Sequence, residues 1–151
     1  MRKLTAAILI ILISVITLTI SCKKDKTEIS SAGGNASKNM NGDCMKCHKS
    51  GGSGTGWFTV AGTVYDSLQQ NTYANATITL YSGINATGSL KATVYGDALG
   101  NFYTTATVDF TGGLYPSVTG TDGKVKNMLQ SITTGSCNSC HDVSTGKLWA
   151  R

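Results

Sequence analysis

The chain has few charged residues, few aromatic residues, one proline and two histidines among 151 residues. It carries no glycine-rich phosphate-binding loop, no partnered acidic pair and no serine–histidine–aspartate set, which excludes the common nucleotide-binding and hydrolytic sites. The formal charge of +5 comes without a basic cluster in the body of the chain, so we expect no nucleic-acid partner. No segment shows a convincing helical period, which argues against a helical bundle.

The chain begins with an apolar run. Arg2 and Lys3 precede an uncharged stretch over 4–20, which ends in "TISC" at Cys22. A basic start before an apolar run is typical of an export signal. The "TISC" sequence resembles a bacterial lipobox, and the resemblance implies cleavage of residues 1–21 and lipid attachment at Cys22. The alternative is a signal-anchor helix with Cys22 as a free thiol. Both place the remaining chain outside the cytoplasm at a membrane, in the periplasm or on the cell surface.

Composition divides the rest of the chain. Residues 22–42 are poor in apolar side chains and predict a flexible tether, and the glycine-rich stretch 49–56 predicts a second flexible piece. Residues 57–125 hold short runs in which apolar and polar residues alternate between turns. This pattern predicts a mainly β protein with an antiparallel β-sandwich. The aspartates in these turns are predicted to cap them: Asp66, Asp97, Asp109 and Asp122.

Three segments of the middle region carry a resemblance. They are "VAGTVYD" (60–66), "ANATITLY" (74–81) and "DALGNFY" (97–103). Together they resemble the carboxypeptidase-regulatory-like, transthyretin-like β-sandwich. The resemblance implies a fold and no chemistry, since such sandwiches serve as spacers and binding modules.

Four of the five cysteines and both histidines lie in two C-x-x-C-H motifs, formed by Cys44, Cys47 and His48 and by Cys137, Cys140 and His141. The motif resembles that of c-type cytochromes, in which both thiols form thioethers with haem and the histidine binds iron. A zinc site of four thiolates and disulfides are the alternatives, but neither explains the histidine after each pair. A thioredoxin-like motif would need a βαβ unit, which the sequence does not show. The motifs therefore predict two covalently attached haem c groups.

The motifs lie within a longer repeat, from residue 38 to 57 and from 126 to 149. Each copy reads Lys-Asn-Met, then Gly-x-Cys-x-x-Cys-His, then Ser, Gly and Trp. The repeat predicts iron-ligating methionines, Met40 and Met128, and tryptophans that cover haem, Trp57 and Trp149. Segments 43–56 and 126–151 are thus predicted haem-binding segments that flank the sandwich. If they lie at opposite poles, copies of the chain must associate head to tail to bring haems close.

These features predict an exported, lipid-anchored dihaem c-type cytochrome at the cell envelope. It would carry electrons to or from a redox partner protein or an extracellular acceptor, and would not be an enzyme. A haem-based sensor or a dihaem peroxidase is the alternative. The peroxidase needs polar groups beside an open iron position, and no histidine is left over for that role.

Overall fold

The computed structural model of the chain describes residues 27–38 and 42–150. The predicted signal over 1–21, the lipid site at Cys22 and the predicted ligand Met40 lie outside the described residues. Within the described ranges, no helix has the length and apolar character needed to cross a membrane.

Seven strands in the described part of the chain form two sheets, and the mainly-β sandwich predicted from the alternating pattern is confirmed. The strands are β1 (Val60–Thr63), β2 (Thr77–Gly83), β3 (Thr87–Tyr95), β4 (Asn101–Thr104), β5 (Tyr115–Thr119), β6 (Val125–Asn127) and β7 (Gly135–Ser136). One sheet has the order β3-β2-β5-β6 and is antiparallel throughout. The other has the order β4-β1-β7. Three 3₁₀ turns complete the described secondary structure: Cys44–Lys46, Ile84–Ala86 and Cys137–Ser139.

The β4-β1-β7 sheet departs from the predicted antiparallel arrangement. β1 runs antiparallel to β4 but parallel to β7, with Val60 opposite Gly135 and Ala61 opposite Ser136. β7 lies inside the segment 126–151, so this segment is part of the sandwich as well as a flank to it. A strand of two residues has no alternation for sequence analysis to detect.

The core lies between the two sheets. On β2, Ile78 and Leu80 are buried while Thr77 and Thr79, which alternate with them, are partly exposed. They pack with Val60, Val94 and Phe102, all at most 1% exposed. Each such side chain contributes about 1.5–3 kcal/mol by leaving water. β1 is buried along its whole length because the second C-x-x-C-H motif contacts it as well as the core.

The aspartates of the turns have the predicted role. The Asp97 carboxylate accepts the backbone N–H groups of Leu99 and Asn101, each at 2.9 Å. Between them Gly100 has φ +84°, which favours glycine. Asp66, Asp109 and Asp122 accept backbone N–H groups in the same manner, so the prediction of turn caps is confirmed.

The predicted flexible tether over 22–42 is wrong for residues 28–37. The Ser30 N–H donates to the Tyr103 carbonyl at 2.9 Å, and Ile29 pairs with Thr104 of β4. Further along, the Ser37 hydroxyl donates to the buried carboxylate of Asp97. This segment therefore belongs to the domain. Composition could not reveal it, because the contacts are backbone hydrogen bonds and single serine hydroxyls placed opposite particular partners.

Candidate functional site

The two C-x-x-C-H motifs fold in the same way. In each, the first cysteine opens a 3₁₀ turn. The histidine N–H then donates to that cysteine's carbonyl at 3.0 Å, in His48 to Cys44 and in His141 to Cys137. One tight turn thus carries both cysteines and the histidine of each motif.

Each histidine ring is held by one backbone carbonyl. His48 Nδ1 lies 2.8 Å from the Thr55 oxygen, and His141 Nδ1 lies 2.8 Å from the Gly146 oxygen. A carbonyl only accepts, so Nδ1 carries the proton and the lone pair is left on Nε2. This carbonyl partner is the arrangement that prepares a histidine to bind a metal through Nε2.

Aromatic stacking and a close glycine surround His48. Its imidazole stacks on Phe58 at 3.9 Å between ring centroids, and Phe58 stacks in turn on Tyr103 at 4.8 Å. A Cβ at Gly54 would lie 2.7–2.9 Å from the His48 ring atoms, closer than real Cβ contacts come. The glycine-rich stretch 49–56, predicted to be flexible, is therefore wrapped around the imidazole, and that prediction is wrong.

The second motif is fixed to β1. Asn138, between the two cysteines, is 6% exposed, and its Oδ1 accepts the Thr63 N–H at 2.8 Å. Two positions in this contact, Gly135 and Gly62, have no room for a side chain. A Cβ at Gly135 would lie 2.1 Å from the Thr59 carbonyl oxygen, and one at Gly62 would lie 2.9 Å from Asn138 Oδ1. The second motif thus rests on the central strand of its sheet.

A largely apolar cavity of about 280 Å³ opens beside the second motif. Cys137 and His141 line it, together with the predicted ligand Met128 and the predicted covering residue Trp149. The structure therefore brings these four residues together. Lys126 extends over the cavity wall, with Nζ 2.6 Å from the centroid of the Trp149 ring. The apolar remainder of the lining comes from the β3-β2-β5-β6 sheet and the C-terminal segment: Ile78, Pro116, Val118 and Leu148.

Trp57 has a different setting from Trp149. It is half-buried, and its neighbour Phe58 is the residue that stacks on His48. Sequence analysis missed Phe58, Gly54 and Asn138. The tight glycine approach and the buried amide leave no signal in a single sequence, because both depend on which backbone lies opposite.

The two motifs contact each other. The Ser136 hydroxyl donates to Asp43 Oδ1 at 2.7 Å, across 93 residues of chain. A polar cleft of about 230 Å³ lies between the motifs, lined by Asp43 and Lys46 on one side and by His141 and Asp142 on the other. The motifs are therefore neighbours and do not lie at opposite poles of the sandwich. The premise for head-to-tail association of copies is removed.

The four motif thiols differ in burial. All four motif cysteines are free, and Cys47 and Cys140 are exposed. Burial raises the pKa of Cys44, and burial beside the Cys44 and Cys140 thiols raises the pKa of Cys137 to about 12. Among the described residues, no three Cys, His, Asp or Glu side chains come close enough together to hold a metal ion. This geometry gives no support to the four-thiolate zinc alternative.

The donor set fits haem c at both motifs. Each turn presents two free thiols three positions apart and one imidazole with its Nε2 lone pair available. Comparison with protein-family models, curated proteins and solved structures finds no match to this chain. The function must therefore be inferred from the geometry of the two motifs.

Proposed function

We propose that the protein is an exported, lipid-anchored dihaem c-type cytochrome that carries electrons at the cell envelope. The observation that carries the proposal is the hydrogen bond from Nδ1 to a backbone carbonyl, at 2.8 Å, in both motifs. A thiol pair used for a disulfide has no need of an oriented imidazole. A repeated C-x-x-C-H turn with the same histidine orientation is what covalent haem attachment requires.

Each motif would bind one haem. Cys44 and Cys47 would hold the first haem and Cys137 and Cys140 the second. His48 and His141 would each present Nε2 to an iron. When bound, the haem supplies one-electron chemistry, and the protein sets its orientation, its exposure to water and its potential.

Met128 is the proposed sixth ligand of the second iron. It lines the same cavity as His141, and its N–H donates to the Pro116 carbonyl at 2.9 Å, which fixes the backbone that carries it. A thioether ligand raises a haem potential relative to a second histidine. Trp149 and the apolar lining would keep water from this haem. Met40 stays the proposed ligand for the other iron.

The partners follow from the anchor and the surface. Lipid on Cys22 would fix the protein to a membrane, with a redox protein or an extracellular acceptor as its partner. Lys46 and Lys49 are exposed beside the first motif and would favour an acidic partner surface. Fatty-acid labelling tests the anchor: the wild type should be labelled and Cys22→Ala should not.

Haem stoichiometry tests the central proposal. The chain is produced in a host with haem-attachment machinery, and covalent haem is counted by the pyridine haemochrome spectrum. We expect two haems per chain in the wild type and one after Cys137→Ala with Cys140→Ala. Ser139→Ala, which changes an exposed residue of the same motif but no thiol, is the control and should keep two. A wild type without covalent haem would refute the proposal.

A further inference from the structure

The contact between the motifs joins two equivalent positions of the repeat. Asp43 and Ser136 each stand between the glycine and the first cysteine of Gly-x-Cys-x-x-Cys-His. Their side chains meet at 2.7 Å. The sequence gives no reason to pair them, since the two positions lie 93 residues apart.

One oxygen of Asp43 serves both motifs. Asp43 Oδ1 accepts the Met45 N–H at 3.1 Å, which caps the first 3₁₀ turn, and also the Ser136 hydroxyl. Hydrogen bonds to a carboxylate are shorter and about twice as strong as those between neutral groups. The carboxylate is thus bound at once to the start of the first motif and to the residue before Cys137.

Ser136 carries this connection into the sheet. Its backbone lies opposite Ala61 in the parallel pair of β1 and β7. Asn138, two residues later, accepts the Thr63 N–H of the same strand. The first motif is therefore connected through Asp43 to a segment that β1 holds at two points.

We propose that Asp43 is a positioning residue for both motifs, and that its carboxylate holds the two attachment turns against each other as one rigid unit. That these turns attach haem rests on the proposed function, but the contact between them involves only residues of this chain. Cys44, Cys47 and His48 and their counterparts Cys137, Cys140 and His141 would then hold two haems on one unit of a single chain.

Reciprocal hydrogen exchange tests the coupling. Amide exchange is followed over 45–48 and over 138–141 in the exported chain, made both with and without haem-attachment machinery. Ser136→Ala should speed exchange over 45–48, and Asp43→Ala should speed exchange over 138–141. We expect about a tenfold change, equivalent to about 1.4 kcal/mol, because a hydrogen bond to a charged group is stronger than one between neutral groups.

Matched variants separate coupling from local damage. The Ser139 hydroxyl donates to the Ser136 carbonyl at 2.6 Å, a bond within the second motif. Ser139→Ala should therefore speed exchange over 138–141 only. Asp43→Asn and Ser136→Thr keep an acceptor and a hydroxyl, and should restore slow exchange in the opposite motif. If an alanine variant fails to fold, exchange in Asp43→Asn and Ser136→Thr still tests the coupling.

A redox readout completes the test. In the chain with Cys137→Ala and Cys140→Ala, only the first haem would be present. Its midpoint potential should shift on adding Ser136→Ala and return with Ser136→Thr. Unchanged exchange over 45–48 in Ser136→Ala would overturn the coupling even if two haems are bound. A wild type without haem but with reciprocal exchange would refute the proposed function and leave the coupling standing.

Discussion

The two C-x-x-C-H motifs have the same turn but different surroundings. His48 lies against an aromatic stack and a glycine-rich loop that follows it directly in the chain. His141 lines a largely apolar cavity whose other walls come from distant strands. The short sequence motif thus fixes the turn and the orientation of its histidine, whereas the surroundings decide solvent exposure and the choice of further ligand. Two haems on such sites would differ in potential, although their attachment sequences are alike.

The largest expected difference is in thiol reactivity. In the chain without haem, alkylation should reach exposed Cys47 and Cys140 first and Cys137 last. With the pKa of Cys137 at about 12, its thiolate fraction at mildly alkaline pH is about a thousandfold lower than for a thiol with a pKa of 9.0. Its rate should keep rising with pH up to about pH 12. Mass spectrometry of alkylated peptides measures the order. Equal rates for Cys137 and Cys140 would contradict it.

Gly135 and Gly42 occupy matching positions before the two motifs, and their surroundings differ. A Cβ at Gly135 would overlap the Thr59 carbonyl, whereas one at Gly42 would meet nothing within 4 Å. We expect Gly135→Ala to lower the free energy of unfolding by about 3 kcal/mol, because backbone must move to admit the methyl group. Gly42→Ala should change it by less than about 0.5 kcal/mol. Urea unfolding of both variants measures these free energies. Similar losses of unfolding free energy in the two variants would show that β7 is not closely packed on β1.

Spectra of a Met128 variant test the proposed sixth ligand of the second haem. Met128→Ala should abolish the sulfur-to-ferric-iron charge-transfer band of one haem and lower one midpoint potential, since a thioether ligand favours the reduced iron. Met45→Ala is the control, because Met45 lies inside the first attachment turn. Absorption spectra and a redox titration measure both effects. An unchanged band in Met128→Ala would exclude this methionine as a ligand.

The smallest expected effect is a local change at one histidine. Gly54→Ala should displace the His48 imidazole from Phe58, because its Cβ would lie 2.7 Å from the ring. Gly146→Ala, beside His141, meets only Gln69 at 3.4 Å and should leave the second ring in place. Ring-nitrogen chemical shifts of the two histidines report this directly. A shift confined to His141 in Gly54→Ala would contradict the placement of the loop.

The fold was largely predictable, and its exceptions have physical causes. Alternation found the mainly β sandwich because period two is a property of the sequence itself. It could not find β7, whose two residues pair with β1 through backbone alone. Composition misjudged residues 28–37, where backbone hydrogen bonds and single serines supply the contacts.

The site was predictable at the level of residue types. The motif identified both thiol pairs and both histidines, and the repeat singled out Met128 and Trp149, which line a cavity with His141. The contact between the motifs was not predictable. It depends on a parallel strand pair that brings distant segments together, and on one hydroxyl opposite one carboxylate.

The parallel pairing of β1 and β7 also bears on the order in which contacts form during folding. Val60 and Gly135 lie 75 residues apart in the chain, so their contact forms late, after a long loop has closed. The contacts of His48 with Thr55 and Phe58 span at most ten residues and form early. Cys137 packs against the core in the folded chain, and before β7 docks it would lack that contact. Under the proposed function, the rate of folding after export would limit the time for haem attachment at the second motif, and faster-folding variants would carry less haem there.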